Sequence, residues 1–282
     1  MPYDLIAVGD VMLDGTLPAP VPGTRVHGRI ELRAGGSAAN AARAAARLGA
    51  RAAVVGRVGA DAAGKLVADA LAGDGVEALL AVDREEPTGS VVVVGGTSIV
   101  ADPGASARLE PADLPASLEA TAVLVSGYSL LQRRPEPAAR AAIERAQTRR
   151  LAVDVASARL VTAFGVDRFL EVTSAVGVLL ANAEEARALT GLDAEDAARA
   201  LARDYDVVCV KLGSAGALAA SGDDVVHTPV RAIERVDTLG AGDAFAGGFL
   251  VALARGADLP EALRAGCDAA AVVLDVRARR PG

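Results

Sequence analysis

The sequence contains no tryptophan, and only four phenylalanines and three tyrosines occur among 282 residues. Aromatics make up 2% while hydrophobic residues make up 52%, so the core has to be built from closely packed Ala, Val and Leu. Cysteine is also scarce. Cys209 and Cys267 belong to no CxxC pair and no Cys/His cluster, which argues against a disulfide framework or a zinc site. Basic residues are not in excess: the net charge is −7, with acids and bases scattered along the chain. That excludes a general nucleic-acid or membrane-surface binder, both of which need a basic face, but a few local Arg or Lys residues suffice for an anionic substrate. No apolar run reaches the length of about eighteen residues that spans a bilayer. The segment Met1–Asp10 has no basic region and too short an apolar stretch for a signal peptide. The expectation is a reduced, soluble, cytoplasmic protein.

What is present is a rhythm of short Val/Leu/Ile/Ala runs separated by Ala-rich stretches with Arg and Glu at helical spacing. The runs are Leu5–Val8, Ala52–Val55, Val91–Val94, Ala122–Val125, Leu151–Val155, Val176–Leu180, Val207–Val210 and Ala217–Ala220. They lack alternation, which suits strands of a parallel sheet buried on both faces. The spacing predicts helices over about 38–48, 63–72, 136–148, 183–189, 194–203, 242–255 and 260–275. Alternating strands and helices mean an α/β fold with helices on both faces of the sheet. Residues 16–34 and 87–110 break the rhythm: each reads as a small strand group beside a cleft or as an ordinary long loop. No internal repeat or disordered linker divides the chain, so residues 1–282 read as one main domain.

Two segments carry chemistry. In Asp237-Thr238-Leu239-Gly240-Ala241-Gly242-Asp243-Ala244-Phe245, small residues lead into an apolar helix. The amides of Gly240 to Asp243 and the positive end of the helix dipole make an anion site, and glycine lets a phosphate approach closely. Asp243 at the start of that helix reads either as a cap or as a carboxylate that takes a proton from an attacking hydroxyl. In Arg33-Ala34-Gly35-Gly36-Ser37-Ala38-Ala39-Asn40, a Gly-Gly turn opens an Ala-rich helix. Asn40 in its first turn is either a cap or solvent-facing residue, or a two-way hydrogen-bonding handle for polyol hydroxyls.

Together the two segments resemble the paired signatures of the PfkB/ribokinase family of small-molecule kinases, in the right order and wide separation, over nearly the whole chain. The resemblance implies a ribokinase-like three-layer α/β/α sandwich with a mostly parallel central sheet, in which 16–34 and 87–110 form a small β lid. It implies ATP and Mg²⁺ as cofactors and a small sugar-like substrate. Asp243 then acts as catalytic base, with the amides of Gly240, Ala241 and Gly242 as anion hole. Asp10, Asp14, Gly35, Gly36, Asn40 and Tyr128 are implied on the substrate side, Asp14 more than Asp10. Asn182, Lys211, Gly213, Gly216, Thr238 and Cys267 are implied around the nucleotide, Gly213 and Gly216 making room for it. Cys267 also reads simply as a small buried hydrophobe. Glu185 is implied to reach magnesium through water, although Glu184 and Glu185 alone would read as a solvated helix face. Pro87-Thr88-Gly89 and Ser126-Gly127-Tyr128 have counterparts at the lid and substrate mouth.

Some features depart from the family. Leu239 stands where Thr or a small residue is common. The end Ala278-Arg279-Arg280-Pro281-Gly282 lacks the usual Gly-Ala after the last helix, which argues against the potassium site that Asp237 would join. Family lids often pair, leaving a homodimer through the lid open. The stretch Gly59-Ala60-Asp61-Ala62-Ala63-Gly64-Lys65-Leu66 nearly fits a P-loop, but Leu66 stands where a hydroxyl should reach Mg²⁺. It resembles instead a structural turn of the same family. No strand leads into a GxGxxG turn with a suitable downstream acid, so a Rossmann dehydrogenase is excluded. The remaining alternatives are a nucleoside kinase, for which few aromatics are at hand to wall a base, and a non-catalytic sugar- or nucleotide-binding protein of the same fold.

Overall fold

On the first strand Leu5 and Ala7 point into one hydrophobic cluster, Ile6 and Val8 into another, and all four are buried. This period of two, with both faces covered, is the physical content of an apolar run without alternation. The computed structural model describes residues 3–19, 25, 27–95, 98–230 and 239–278, with side chains described through residue 274. In chain order, its first half contains β1 (Tyr3–Val8), β2 (Met12–Leu17), β3 (Glu31–Gly35), α1 (Ser37–Arg47), β4 (Ala52–Gly59), α2 (Ala62–Gly73), β5 (Val76–Asp83), β6 (Thr88–Val94), β7 (Ser98–Gly104), β8 (Leu118–Ser126), α3 (Gly127–Leu130) and α4 (Glu136–Arg145). The second half contains β9 (Ala146–Gln147), β10 (Arg150–Asp154), α5 (Ala158–Phe164), α6 (Val166–Val172), β11 (Val178–Asn182), α7 (Ala183–Thr190), α8 (Ala194–Leu201), β12 (Val207–Lys211), β13 (Ala217–Ser221), β14 (Asp224–Thr228), α9 (Ala241–Ala254) and α10 (Leu259–Ala278).

The main sheet runs β14-β13-β12-β11-β10-β8-β1-β4-β5, with β9 beside β8. Strands β5 to β12 along this path pair in parallel, and β13 and β14 close one edge antiparallel. One cluster packs α1, α2, α9 and α10 against the sheet through residues such as Ala42, Val67, Phe249 and Leu263. The other packs α4 to α8 through Ala139, Val161, Phe169, Ala186 and Ala198. The fold is therefore the ribokinase-like three-layer sandwich that the motifs implied.

A second sheet, ordered β3-β2-β6-β7, projects from the first. The run Val91–Val94 belongs here and not to the parallel sheet: β6 pairs parallel with β2 and antiparallel with β7. A short valine run fits either setting, so periodicity alone misplaces it. The sheet draws on both irregular segments, but its first two strands begin earlier than expected, at Met12, and end at Gly35, and its last two span Thr88–Gly104. The helix expected over 136–148 stops at Arg145, because Ala146 turns to extended backbone and pairs beside Leu118. Strands β5, β9 and β14 and helices α3, α5 and α6 are not announced by the sequence pattern.

Close approach of α1 and α9 fixes the geometry below. A Cβ on Gly247 would lie 2.3 Å from the Ala41 carbonyl oxygen, so the two backbones touch where only glycine fits. Gly247→Val is expected to lower stability by about 2–3 kcal/mol through overpacking. A fall in the urea midpoint at unchanged m checks this, and an unchanged midpoint refutes it.

Candidate active site

Strand β1 lies between β4 and β8, so its connections leave in opposite directions and open a crevice at the carboxyl ends of the strands. Polar residues gather at those ends. Asp10 follows β1, and Ser126, Asp154, Asn182 and Lys211 terminate β8, β10, β11 and β12. The register sets Asp154 beside Ser126 and Asn182 beside Lys211.

On the side nearer the second sheet, Asp10 accepts from the Ser37 amide (2.6 Å) and from Ser126 Oγ (2.8 Å). It thereby holds the first amide of α1, and burial still raises its pKa despite these bonds. Gly36, at φ 91°, leads into α1 with no room for a Cβ against the Asp10 carbonyl oxygen, 2.4 Å away. Asp14 is buried on β2, lying directly against Gly35, with Arg33 Nε 3.8 Å from its carboxylate. Tyr128 opens α3. Burial, together with Asp10 and Asp243 nearby, pushes its hydroxyl up to about 12, so it stays a neutral donor.

At the centre, Asn40 Nδ2 donates to Asp243 Oδ2 at 3.0 Å, joining the first turns of α1 and α9. Gly240 precedes α9 in the left-handed region at φ 77°, and no side chain caps the helix. The amides of the first turn have no acceptor within the helix. Asp243 is thus held by a side-chain donor and does not cap the helix, against its reading as a cap. Burial raises its pKa to about 6. The Asn40 bond opposes this, and Asp154 and Asp10 add to it. A carboxylate of that basicity is suited to accept a proton near neutral pH.

On the far side of α9, Lys211 Nζ pairs with both oxygens of Asp154 at 2.8 and 2.7 Å. Burial alone would depress the ammonium, but Asp154 and Glu185 outweigh it and its pKa is raised. A Cβ on Gly242 would come 3.7 Å from Nζ, so the cation stands beside the first turn of α9. Glu185 is buried rather than solvated. It forms a reciprocal capping box with Asn182, its carboxylate accepting from the Asn182 amide (2.8 Å) and from Nδ2 (2.7 Å). Burial raises it to about 7, with Lys211 lowering and Asp154 raising the value.

Other expected positions fall differently. Gly216 has its φ at 96°, and a Cβ there would lie 2.0 Å from the Thr228 carbonyl oxygen. Its missing side chain is required by the close approach of Thr228 at the end of β14. Gly213 (φ 60°) does face open space. Cys267 is buried in the core with Cys209, the setting of a small hydrophobe. Thr238 and Asp237 lie outside the described residues. In the P-loop-like stretch, Asp61 accepts from the Gly64 amide, the Thr88 amide and Thr88 Oγ1. The turn thus pins the root of β6, with Thr88 as its anchor. Sequence reasoning missed Asp154, whose signal was an acid inside an apolar strand run. It also missed Ser37, whose backbone amide carries the contact.

A sequence profile described as "pfkB family carbohydrate kinase" matches residues 4–280. The chain is 33% identical over 266 residues to a ribokinase of Arabidopsis thaliana, covering 88% of this chain and 69% of that one. It superposes on the crystal structure of adenosine kinase from Sinorhizobium meliloti with a TM-score of 0.87 at 26% identity, covering 98% and 94% of the two chains. Aminoimidazole riboside kinase from Salmonella enterica, complexed with aminoimidazole riboside and an ATP analogue, superposes with a TM-score of 0.80 at 25% identity, covering 96% and 93%.

The raised Asp243 pKa has a consequence for stability. Its folded value, about 6, lies above the ordinary 3.8, so the folded state holds the extra proton between them. Stability is therefore lost as pH rises from about 4 through 6, and the loss is complete above that. Asp243→Asn is expected to raise Tm at pH 8 and to match the wild type at pH 4, with each kcal/mol worth about 2–4 °C. Equal melting temperatures at pH 8 would contradict this.

Proposed function

Because the chain belongs to the pfkB family of carbohydrate kinases, we propose that it transfers the γ-phosphoryl group of ATP to a hydroxyl of a small sugar or sugar acid, with Asp243 as base. The observation that carries this reading is the Asn40–Asp243 hydrogen bond at the uncapped start of α9. It holds a basic carboxylate beside unsatisfied amides, the two elements that in-line phosphoryl transfer requires. Asp243 accepts the hydroxyl proton as the acceptor oxygen attacks. The amides of Gly240, Ala241 and Gly242 take up charge on the transferring phosphoryl, and Lys211 faces the same phosphates, steered by Asp154. Asp14, Asn40, Tyr128 and the backbone of Gly35 and Gly36 orient the acceptor, while Asp10 braces α1 and Gly213 leaves space for the nucleotide.

No group of three or more His, Cys, Asp or Glu able to hold a metal occurs among the described residues. This fits Mg²⁺, which keeps much of its hydration and is shared with nucleotide phosphates. Glu185, its oxygens already accepting from Asn182, would reach the ion through water. When bound, the ion neutralises charge on the phosphate oxygens.

A nucleoside acceptor fits less well. Tyr128 is the aromatic at the site, while Phe245 and Phe249 stack on each other inside the core. Both cysteines are free thiols, in keeping with a reducing, cytoplasmic setting. The second sheet carries Leu32 and Val100 exposed in one cross-strand row with Gly15 and Val92, which supports pairing of two copies through this lid. A monomer in sedimentation velocity would remove that assignment.

ADP release with Mg-ATP and a sugar panel tests the reaction. Asp243→Asn is expected to lower kcat at least ~10²-fold. For the wild type, kcat/KM should fall about tenfold per pH unit below about pH 6, as the base gains its proton. Near-normal turnover of the variant would remove Asp243 from its role, and ligand stabilisation without turnover would favour a binding protein.

A further inference from the structure

Beside the Asn40–Asp243 pair lies a cleft of about 370 Å³, between residues 29–33, α1 and the start of α9. Arg29, Arg33, Arg43 and Arg47 line it, together with Asn40 and Gly240. Residues 40, 43 and 47 share one stripe of α1, so the helix presents an amide followed by two guanidinium groups along a single wall. Arg33 arrives from β3, where the register sets it opposite Asp14. In a chain of net charge −7, four arginines around one small cleft are a local reversal of sign.

Acids nearby offset part of it. Glu31, which also lines the cleft, is 3.2 Å from Arg29 Nε, and Asp14 is 3.8 Å from Arg33 Nε. Arg43 pairs with Asp74 and donates to the Ala34 carbonyl oxygen. Arg47 makes no hydrogen bond or ion pair among the described residues. Burial and then the charge of Arg43 lower its pKa, the mark of a cation crowded by another. Guanidinium groups are weakly hydrated planar forks that match carboxylate and phosphate oxygens two at a time.

We propose that the acceptor is an anionic sugar, its carboxylate or phosphate seated among Arg29, Arg33, Arg43 and Arg47 while its accepting hydroxyl faces Asp243. Asn40 and Gly240 bound both the cleft and the reacting centre, so one ligand spans the two. The assignment rests on the kinase reading above and narrows its substrate class. In the step, the acceptor oxygen bonds to the γ-phosphorus, the bond to the β,γ-bridging oxygen breaks, ADP leaves, and the hydroxyl proton passes to Asp243. The product carries a second anionic group at the far end of the sugar.

The test compares matched acceptors with Mg-ATP: ribose and ribose 5-phosphate, fructose and fructose 6-phosphate, glucose and gluconate. At least one anionic member is expected to exceed its neutral partner by ~10-fold or more in kcat/KM, and the phosphate and carboxylate arms tell which group the cleft takes. The double variant Arg29→Gln/Arg47→Gln changes two exposed side chains. It should raise KM for the anionic acceptor by ~10-fold or more and bring it toward that of the neutral partner. Equal or better use of neutral sugars, or an intact preference in the variant, overturns the proposal. Should no acceptor release ADP, the kinase reading fails, and the cleft is judged by calorimetric titration of ribose 5-phosphate and gluconate with a non-transferable ATP analogue bound. Binding weakened in the double variant supports the anion seat, and binding absent or equal in both proteins rejects it. Inorganic phosphate that stimulates neutral-sugar turnover without competing against an anionic acceptor would also overturn it, marking an effector site instead.

Discussion

The hydrogen bond from Asn40 to Asp243 joins side chains 203 residues apart in sequence and depends on how closely two helices meet. Ala41 and Gly247 set that distance, since the backbone of one helix rests where a side chain on the other would stand. Ala-rich α1 and Gly-rich α9 therefore do more than fill space. Their small residues let the two N-termini converge, and the carboxylate between them is oriented by an amide rather than by solvent. The scarcity of aromatic rings in the composition has the same origin: a core of small side chains lets backbones approach closely.

The electrostatics of the crevice follow from that convergence. Asp154, Glu185 and Asp243 are gathered around the Lys211 ammonium group, which is already committed to Asp154. Burial favours the neutral form of each unpaired carboxyl, which is why Asp243 and Glu185 are raised into the range near neutrality. The crevice is thus a place where the fold gathers unfavourable charge, held in position by packing elsewhere.

Much of this was legible in the sequence. The α/β alternation, the strand runs of the main sheet and both glycine-led helix starts appear where residue patterns put them. The site residues named from motifs converge where the strands end, apart from Thr238, which lies outside the described residues, Gly216, which serves the fold, and Cys267, which sits in the core. What stayed hidden depended on tertiary contacts. Val91–Val94 has no alternation to show which sheet it joins. Asp154 gains meaning only when β10 lies two strands from β12, bringing its carboxylate to Lys211. Glu185 reads as one more acid on a helix until its side chain turns back to cap that helix. The arginine cleft draws on β3 and α1 at once, and no linear motif announces it.

The crevice is furnished by residues standing at the ends of separate strands, each carried on its own connection. On the proposed reading, phosphate-handling groups stand at the ends of β10, β11 and β12 and on α9, whereas acceptor-handling groups come from the second sheet and α1. The two halves can therefore diverge independently. Rewriting a few positions on the second sheet would redirect the enzyme to another alcohol while the transfer apparatus is inherited intact.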